Sequence, residues 1–422
     1  MDHRLTTLGN GLRVISETMP AVRSVAVGCW VDSGSRDEAA AEAGCSHFLE
    51  HLLFKGSERL TAQDIAKAFD AVGARSNAFT SKEYTCFWAQ LRDDDLPMGM
   101  DLLAEMLLRP AFRPEDIESE ANVVLEEINM NEDDPADVAH DQFARALWGD
   151  HALALPVLGT KESISGMSRE VIAAYWGRRY RPPSVVLAAA GHVEHERVLE
   201  LAEEHFGGWQ GESAGHDFHE AAVVPRVEVK TRDTEQAHLV FGGEALTRGD
   251  ERRFAFGLLN HILGASMSSR LFREIREERG LAYNVFSSLN SFMDTGYLMV
   301  YAATSPESAE QVVRLVQEEF RALKEKAPGE REMKMARDHL KGSLMLSLES
   351  SSSRMSNLAR QEVYFRRPFT LNEILEGIDR VQAEGEVRVL SRVVGGPLHG
   401  HVREGLCVRE WLFENRWPVD FS

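Results

Sequence analysis

The chain has 422 residues, 43% of them hydrophobic and 27% charged, with a formal net charge of −20. That length allows two ordinary domains, each with a sizeable core. No apolar run approaches the roughly eighteen residues of a membrane span. The acidity opposes nucleic-acid binding, which needs a basic surface, and suits cationic partners instead.

From its start, "MDHRLTTLGNGLRVISE" carries no apolar signal core and no Arg-rich amphipathic extension, and turns at Gly9–Gly11 into a strand. A cytoplasmic protein is expected. The cysteines at 29, 45, 86 and 407 form no C-x-x-C pair, and Cys29, Cys45 and Cys86 in apolar surroundings read as buried free thiols. The strand "SVAVGCWVDSG" is followed by an apolar-striped helix, "SHFLEHLLF", and by a second helix, "AQDIAKAFDAVG", stopped by glycine. Paired strands in "RSNAFTSKEYTCFWAQL" and two long helical patterns follow. The polar, Gly-rich "GGWQGESAGHDFHEAA" then reads as a linker over 208–224.

After the linker the order recurs: "AHLVFGGEA", "FAFGLLNHILG", "SSRLFREIREERG", and the strand pair "YNVFSSLNSFMDTGYLMVYAAT". Hairpins rather than repeated parallel crossovers join the strands. The expectation is an α+β chain of two homologous α/β-sandwich domains with antiparallel-rich sheets, 1–207 and 225–422.

The stretch "CSHFLEHLLF" places His47 and His51 one helical turn apart, about 40° in rotation. Both imidazoles can then converge on one ion, and Glu50 borders the same face. This is the H-x-x-E-H arrangement, the inverse of H-E-x-x-H. An amphipathic core helix with two hydrogen-bonded histidines would carry the same pattern, with Phe48, Leu49, Leu52, Leu53 and Phe54 as its apolar face. A catalytic zinc site needs a third protein ligand. The carboxylate-dense helix "EDIESEANVVLEEINM" offers Glu120 and Glu127, seven apart on one face, with Glu126 pointing elsewhere. Periodicity alone leaves Glu120 and Glu127 both open.

The motif "GCSHFLEHLLFKGS", with a glutamate in "VVLEEI" 76 residues after the second histidine, resembles the pitrilysin and insulin-degrading family of zinc peptidases. Within it the likeness is to the mitochondrial processing peptidase β-subunit and its bacterial relatives. "SNAFTSKEYTCFWAQL", "NEDDPADVAHDQF", "LPVLGTKESI" and "MSSRLFREIREERGLAYNVFS" add to the resemblance, which spans roughly residues 6 to 365. The resemblance implies that His47, His51 and Glu127 hold one Zn2+ per chain, that Glu50 is the general base, and that Glu120 supports the metal from behind its ligands. It implies that Arg276 and Tyr283 bind the substrate carbonyl and its oxyanion. It also implies that Asn77, Ala78 and Phe79 contact an extended peptide added to the sheet edge. An ordinary edge strand, guarded by Lys82 and Glu83, is the alternative for that segment.

The function implied is zinc-dependent endopeptidase action on unfolded, basic, extended peptides. Two domains per chain imply half of a clamshell, closed by a homodimer; a heterodimer with a non-catalytic homologue is the alternative. The rival reading is a catalytically silent partner subunit with a structural or peptide-binding role. In the second half "HILGASMSSR" is not Gly-rich, and "FGLLNHILG" carries a single histidine. The tail after about residue 390 departs from the resemblance, and its "HGH" at 399–401 reads as a tail histidine pair rather than a second metal site.

Overall fold

The computed structural model describes residues 3–219, 221, 223, 226–382 and, as backbone, 399–401. The described residues fall into two compact units. One lies within Met1–Met130, Leu155–Phe218 and Leu344–Thr370, the other within Asn131–Ala154, His219–Ser343 and Leu371–Ser422. Cys407 and the tail beyond 401 lie outside the described residues.

The first unit is built on six strands: β1 (His3–Thr7), β2 (Arg13–Thr18), β3 (Ser24–Val31), β4 (Arg75–Thr80), β5 (Thr85–Arg92) and β6 (Val185–Gly191), in the order β1-β2-β6-β3-β5-β4. Only β2 and β6 run parallel; the other pairs are antiparallel. Side chains alternate between the faces of β3. Val25, Val27, Cys29 and Val31 enter one core with Phe48, Leu49, Leu103 and Val124, while Ala26 and Trp30 enter another. β6, "VVLAAAG", is buried throughout because both faces of the sheet are covered, which explains its uninterrupted apolar run.

Helix Ser351–Phe365 covers the second face, with Met355, Leu358, Ala359 and Val363 against Ile15, Trp30, Val186 and Ala188. A Cβ on Gly28 would come within 3.0 Å of the Met355 sulfur, so glycine there admits the helix. Two ion pairs fix it in register: Arg13 Nη1 to Glu362 Oε1 at 3.1 Å, and Arg354 to Glu17. The compact units thus differ from the contiguous halves by exchanged segments. This helix, late in the chain, belongs to the first unit, and helix Pro135–Trp148 belongs to the second.

The second unit has β7 (Val227–Glu228), β8 (Ala237–Glu244), β9 (Ala282–Ser291), β10 (Gly296–Thr304) and β11 (His399–His401), ordered β7-β11-β8-β10-β9. The run β8-β10-β9 repeats the order of β3-β5-β4, with the same antiparallel pairing. Phe256, Leu259 and Leu263 of helix Arg253–Leu263 pack on one face. Phe143 and Leu147 pack on the other with Val240, Met299 and Tyr301. The "HGH" stretch is a short strand beside β8. Among the described residues no helix is long and apolar enough to cross a membrane.

The Gly-rich segment read as a linker is docked on the first unit as far as Phe218. Ser184 Oγ donates to Ser213 Oγ at 2.8 Å, Arg179 donates to the Gly215 carbonyl at 2.6 Å, and the Arg36 guanidinium lies 3.9 Å from the Phe218 ring centre. His216 bridges Asp37 at 2.7 Å and Asp32 at 3.2 Å. Burial opposes charge on His216, but the hydrogen bonds to Asp32 and Asp37 outweigh it and raise the imidazole to about 10. A group raised in the folded state stabilises fully below its ordinary value of 6.5 and loses that contribution as pH rises through about 10. His216→Ala is therefore expected to lower stability by about 1.5–3 kcal/mol at pH 6. The gap in melting temperature from the wild type should close progressively as pH rises toward 10.

Candidate metal centre

Helix Cys45–Leu53 buries Cys45, Phe48, Leu49, Leu52 and Leu53. These positions form one stripe at helical spacing, so His47, Glu50 and His51 are left on the other side, half-buried. Helix Pro114–Asp133 turns Ile117, Glu120, Val124 and Ile128 inward. That phase leaves Glu126 exposed and Glu127 half-buried.

The two helices bring His47, His51 and Glu127 together, with one potential ligand atom from each lying within 4.8 Å of the others. A single carboxylate oxygen, Glu127 Oε2, lies 3.6 Å from His47 Nε2 and 3.5 Å from His51 Nε2. Donors on tetrahedral zinc with bonds of 2.0–2.1 Å stand about 3.3 Å apart. Two imidazoles and a carboxylate at this spacing therefore fit zinc with little adjustment, and the set leaves a fourth position free. Among the described residues this is the one such grouping of His, Cys, Asp or Glu.

The surroundings favour a neutral His47. Burial, and then the neighbouring His51 ring at 4.7 Å between centres, push His47 down to about 4. His47 Nδ1 is buried and has no hydrogen-bond partner among the described residues. His51 Nδ1 donates to Glu120 Oε2 at 3.0 Å, which leaves the Nε2 lone pair for a metal. Glu120 is 3% exposed, and its other oxygen pairs with Lys55. Burial pushes the Glu50 carboxyl above the usual carboxylate range, and hydrogen bonds from Thr80 act in the opposite direction.

Asn77, Ala78 and Phe79 lie on β4, which pairs with β5 on one side and forms the end of the sheet. Ala78 is buried, Asn77 is exposed and Phe79 is 38% exposed. Arg276 and Tyr283 lie together in the second unit. Arg276 sits in a π-helical turn, Phe272–Glu277, with its guanidinium 4.6 Å from the Tyr283 ring centre. Tyr283 is 76% exposed, near the start of β9.

Sequence reasoning missed Lys55, Thr80 and Glu38. Lys55 had a signal: it follows His51 by four residues, so it continues the metal-facing side just past the helix end. Thr80 reaches Glu50 only through strand placement. Glu38 accepts from the backbone N–H groups of Gly44 and Ser46, six and eight residues away, outside any local capping pattern.

Known proteins resemble this chain in sequence and fold. The family pattern described as "Insulinase (Peptidase family M16)" matches residues 13–161, and that described as "Peptidase M16 inactive domain" matches residues 166–340. A protein of Mycobacterium tuberculosis named an uncharacterized zinc protease is 44% identical over 92% of this chain and 90% of its own length. A Bacillus subtilis protein of like name is 38% identical over 90% of this chain and 92% of its own. Among solved structures, a protease from Helicobacter pylori superposes with a TM-score of 0.90 at 22% identity, covering 96% of this chain and 99% of that one. A peptidase M16 inactive domain from Pseudomonas fluorescens gives 0.90 at 20% identity, covering 96% and 98%.

The placement of the three carboxylates predicts graded metal loss. Glu127→Gln should weaken zinc binding by more than about 100-fold, Glu120→Gln by about 10–100-fold, and Glu126→Gln not measurably. Zinc content after dialysis against a graded chelator series checks the order. Loss in Glu126→Gln with retention in Glu127→Gln would contradict the helix phase.

Proposed function

The chain belongs to the insulinase family of peptidases, M16, and on that premise we propose that it is a zinc-dependent endopeptidase of unfolded peptides. The observation that carries the reading is the convergence of His47, His51 and Glu127 at the spacing of zinc donors, with Glu50 beside them. A zinc ion held there supplies Lewis acidity toward a scissile carbonyl and brings the pKa of water to about 7. Glu50 takes the proton from the attacking water and returns it to the leaving amine. Its raised affinity for protons, from burial, suits both halves of that task. Glu120 orients His51 through Nδ1.

The end strand β4 gives an extended peptide main-chain partners, with Asn77, Ala78 and Phe79 as the contacting residues. Arg276 and Tyr283 are proposed as donors to the substrate carbonyl, on their family-like spacing and their mutual stacking. One zinc per chain and assembly as a homodimer around a closed chamber belong to the same reading. So does a cytoplasmic location, which three buried free thiols suit. The repeated strand order in the two units supports the reading of 1–207 and 225–422 as homologous halves.

The test separates base from ligand. Glu50→Gln should retain about one zinc per chain and lose at least about 100-fold in kcat on a quenched peptide of about 10–20 residues. Parallel loss of zinc and activity would reassign Glu50 to the metal's ligands. Retained activity would remove the endopeptidase mechanism.

The net charge of −20 adds a second expectation. Raising salt from about 0.1 to 1 M cuts the screening length from about 10 to 3 Å. The value of kcat/KM for an Arg-rich peptide should fall severalfold, while that for a neutral peptide changes little. An equal response of both peptides would reduce the acidity to a solubility feature.

A further inference from the structure

We propose that Glu38 is a positioning residue for the metal centre: its carboxylate supplies the N-terminal cap that the histidine helix lacks, and thereby sets the rotation at which both imidazoles are presented. The proposal rests on the reading of His47, His51 and Glu127 as metal ligands.

The helix Cys45–Leu53 begins at Gly44, whose backbone is left-handed at φ +88°, and no side chain caps it. None can be accommodated there: a Cβ on Gly44 would lie 2.7 Å from the Leu158 carbonyl oxygen and 2.9 Å from Gly159 Cα. The first-turn N–H groups must therefore find an acceptor elsewhere. Glu38 provides it with both oxygens. Oε2 accepts from Gly44 N at 2.7 Å and Oε1 from Ser46 N at 2.7 Å. The group is 8% exposed, and burial pushes it up to about 8 against the opposing effect of the hydrogen bonds from Ser46 and Gly44; both oxygens face the N-terminal end of the helix.

Ser46, the residue before the first histidine, is held at three further atoms or contacts besides the chain itself. Its N–H is bound by Glu38, its hydroxyl lies 2.8 Å from the fully buried Tyr175 OH, and its carbonyl accepts from Thr80 Oγ1 at 3.4 Å. Tyr175 OH in turn lies 3.2 Å from Ser33 Oγ. Side-chain tips on a helix stand about 6 Å from its axis, so a rotation of about 10° moves an imidazole nitrogen by about 1 Å. Metal–ligand distances tolerate about 0.2 Å. An uncapped, loosened first turn therefore costs ligand geometry before it costs the fold, because the apolar stripe of this helix remains buried.

The test compares wild type, Glu38→Gln and Glu38→Asp by zinc affinity in competition with a chromogenic chelator, by the visible band of the Co2+-substituted protein, and by kcat and KM on a quenched peptide. Gln keeps one acceptor oxygen and turns its NH2 toward a backbone N–H. Glu38→Gln should bind zinc about 10–100-fold more weakly, with an altered Co2+ band, a lowered kcat and an unchanged KM. Glu38→Asp, which keeps both oxygens but reaches one methylene less far, should bind zinc measurably more weakly than wild type yet more tightly than Glu38→Gln, with a smaller change in the Co2+ band. Wild-type zinc affinity and Co2+ band in Glu38→Gln would overturn the proposal even if its melting temperature falls, because a purely structural cap changes stability alone. Should Glu38→Gln not fold, Glu38→Asp carries the test: a perturbed Co2+ band with weakened zinc binding supports the proposal, and wild-type values overturn it. If the wild-type chain binds neither zinc nor Co2+, the metal-site reading fails first and takes this proposal with it.

Discussion

Two imidazole nitrogens and one carboxylate oxygen have to meet from helices whose donors are 76 residues apart in the chain, and apolar packing decides whether they do. In helix Pro114–Asp133 the buried set Ile117, Val124 and Ile128 fixes the rotation. A slip of one residue would turn it by about 100° and exchange Glu127 for Glu126. In helix Cys45–Leu53 the stripe of Phe48, Leu49, Leu52 and Leu53 does the same for the histidines. The convergence of these three side chains is therefore a product of the core: residues on the buried faces determine which ones can meet.

Charge in the pocket follows from the same burial. Glu120 is nearly sealed, and an unpaired carboxylate so placed would be costly. Lys55 on one oxygen and His51 Nδ1 on the other stabilise it. Burial and the nearby His51 hold His47 neutral at physiological pH. Two carboxylates, Glu120 and Glu127, thus face one ammonium and at least one uncharged imidazole, and the surplus negative charge suits a dication. This arrangement also explains why the two glutamates are not interchangeable. Glu120 sits deep, behind His51, while Glu127 sits at the mouth, within 3.6 Å of both Nε2 atoms.

Much of this was legible in the sequence because periodicity is a local property. The four-residue spacing of His47 and His51 and the seven-residue spacing of Glu120 and Glu127 assign faces without tertiary knowledge. Depth along a face is not local, and the choice between Glu120 and Glu127 came from resemblance rather than from spacing. The exchanged helices were illegible for a related reason. Helix Ser351–Phe365 reads "SSSRMSNLARQEVYF", a weakly striped segment whose buried side includes Ser351 and Glu362 as well as Met355 and Val363. Its partners, Arg13 and Glu17, lie more than 330 residues away. Likewise the segment 208–218 has a linker's composition, yet His216 and Phe218 find specific partners on the first unit. Glycine and serine permit flexibility but do not require it.

The second unit makes the separation of fold from chemistry visible within one chain. It keeps the strand order β8-β10-β9 and a helix, Arg253–Leu263, whose buried Phe256, Leu259 and Leu263 cover the sheet as the histidine helix does in the first unit. Among its described residues it lacks the donor set. Of the inverted motif, "FGLLNHILG" retains one histidine, His261, with Asn260 immediately before it in place of a glutamate. The His261 ring stacks on His339 at 4.2 Å, and burial, then His339, push it down to about 4. Two imidazoles without a convergent carboxylate among the described residues fall short of the three protein ligands of a catalytic zinc site. The apolar stripe survives without the metal because the sheet needs its cover whatever the other side of the helix carries. The opposite side of the helix takes no part in that apolar cover, so its side chains are free to differ between the two units.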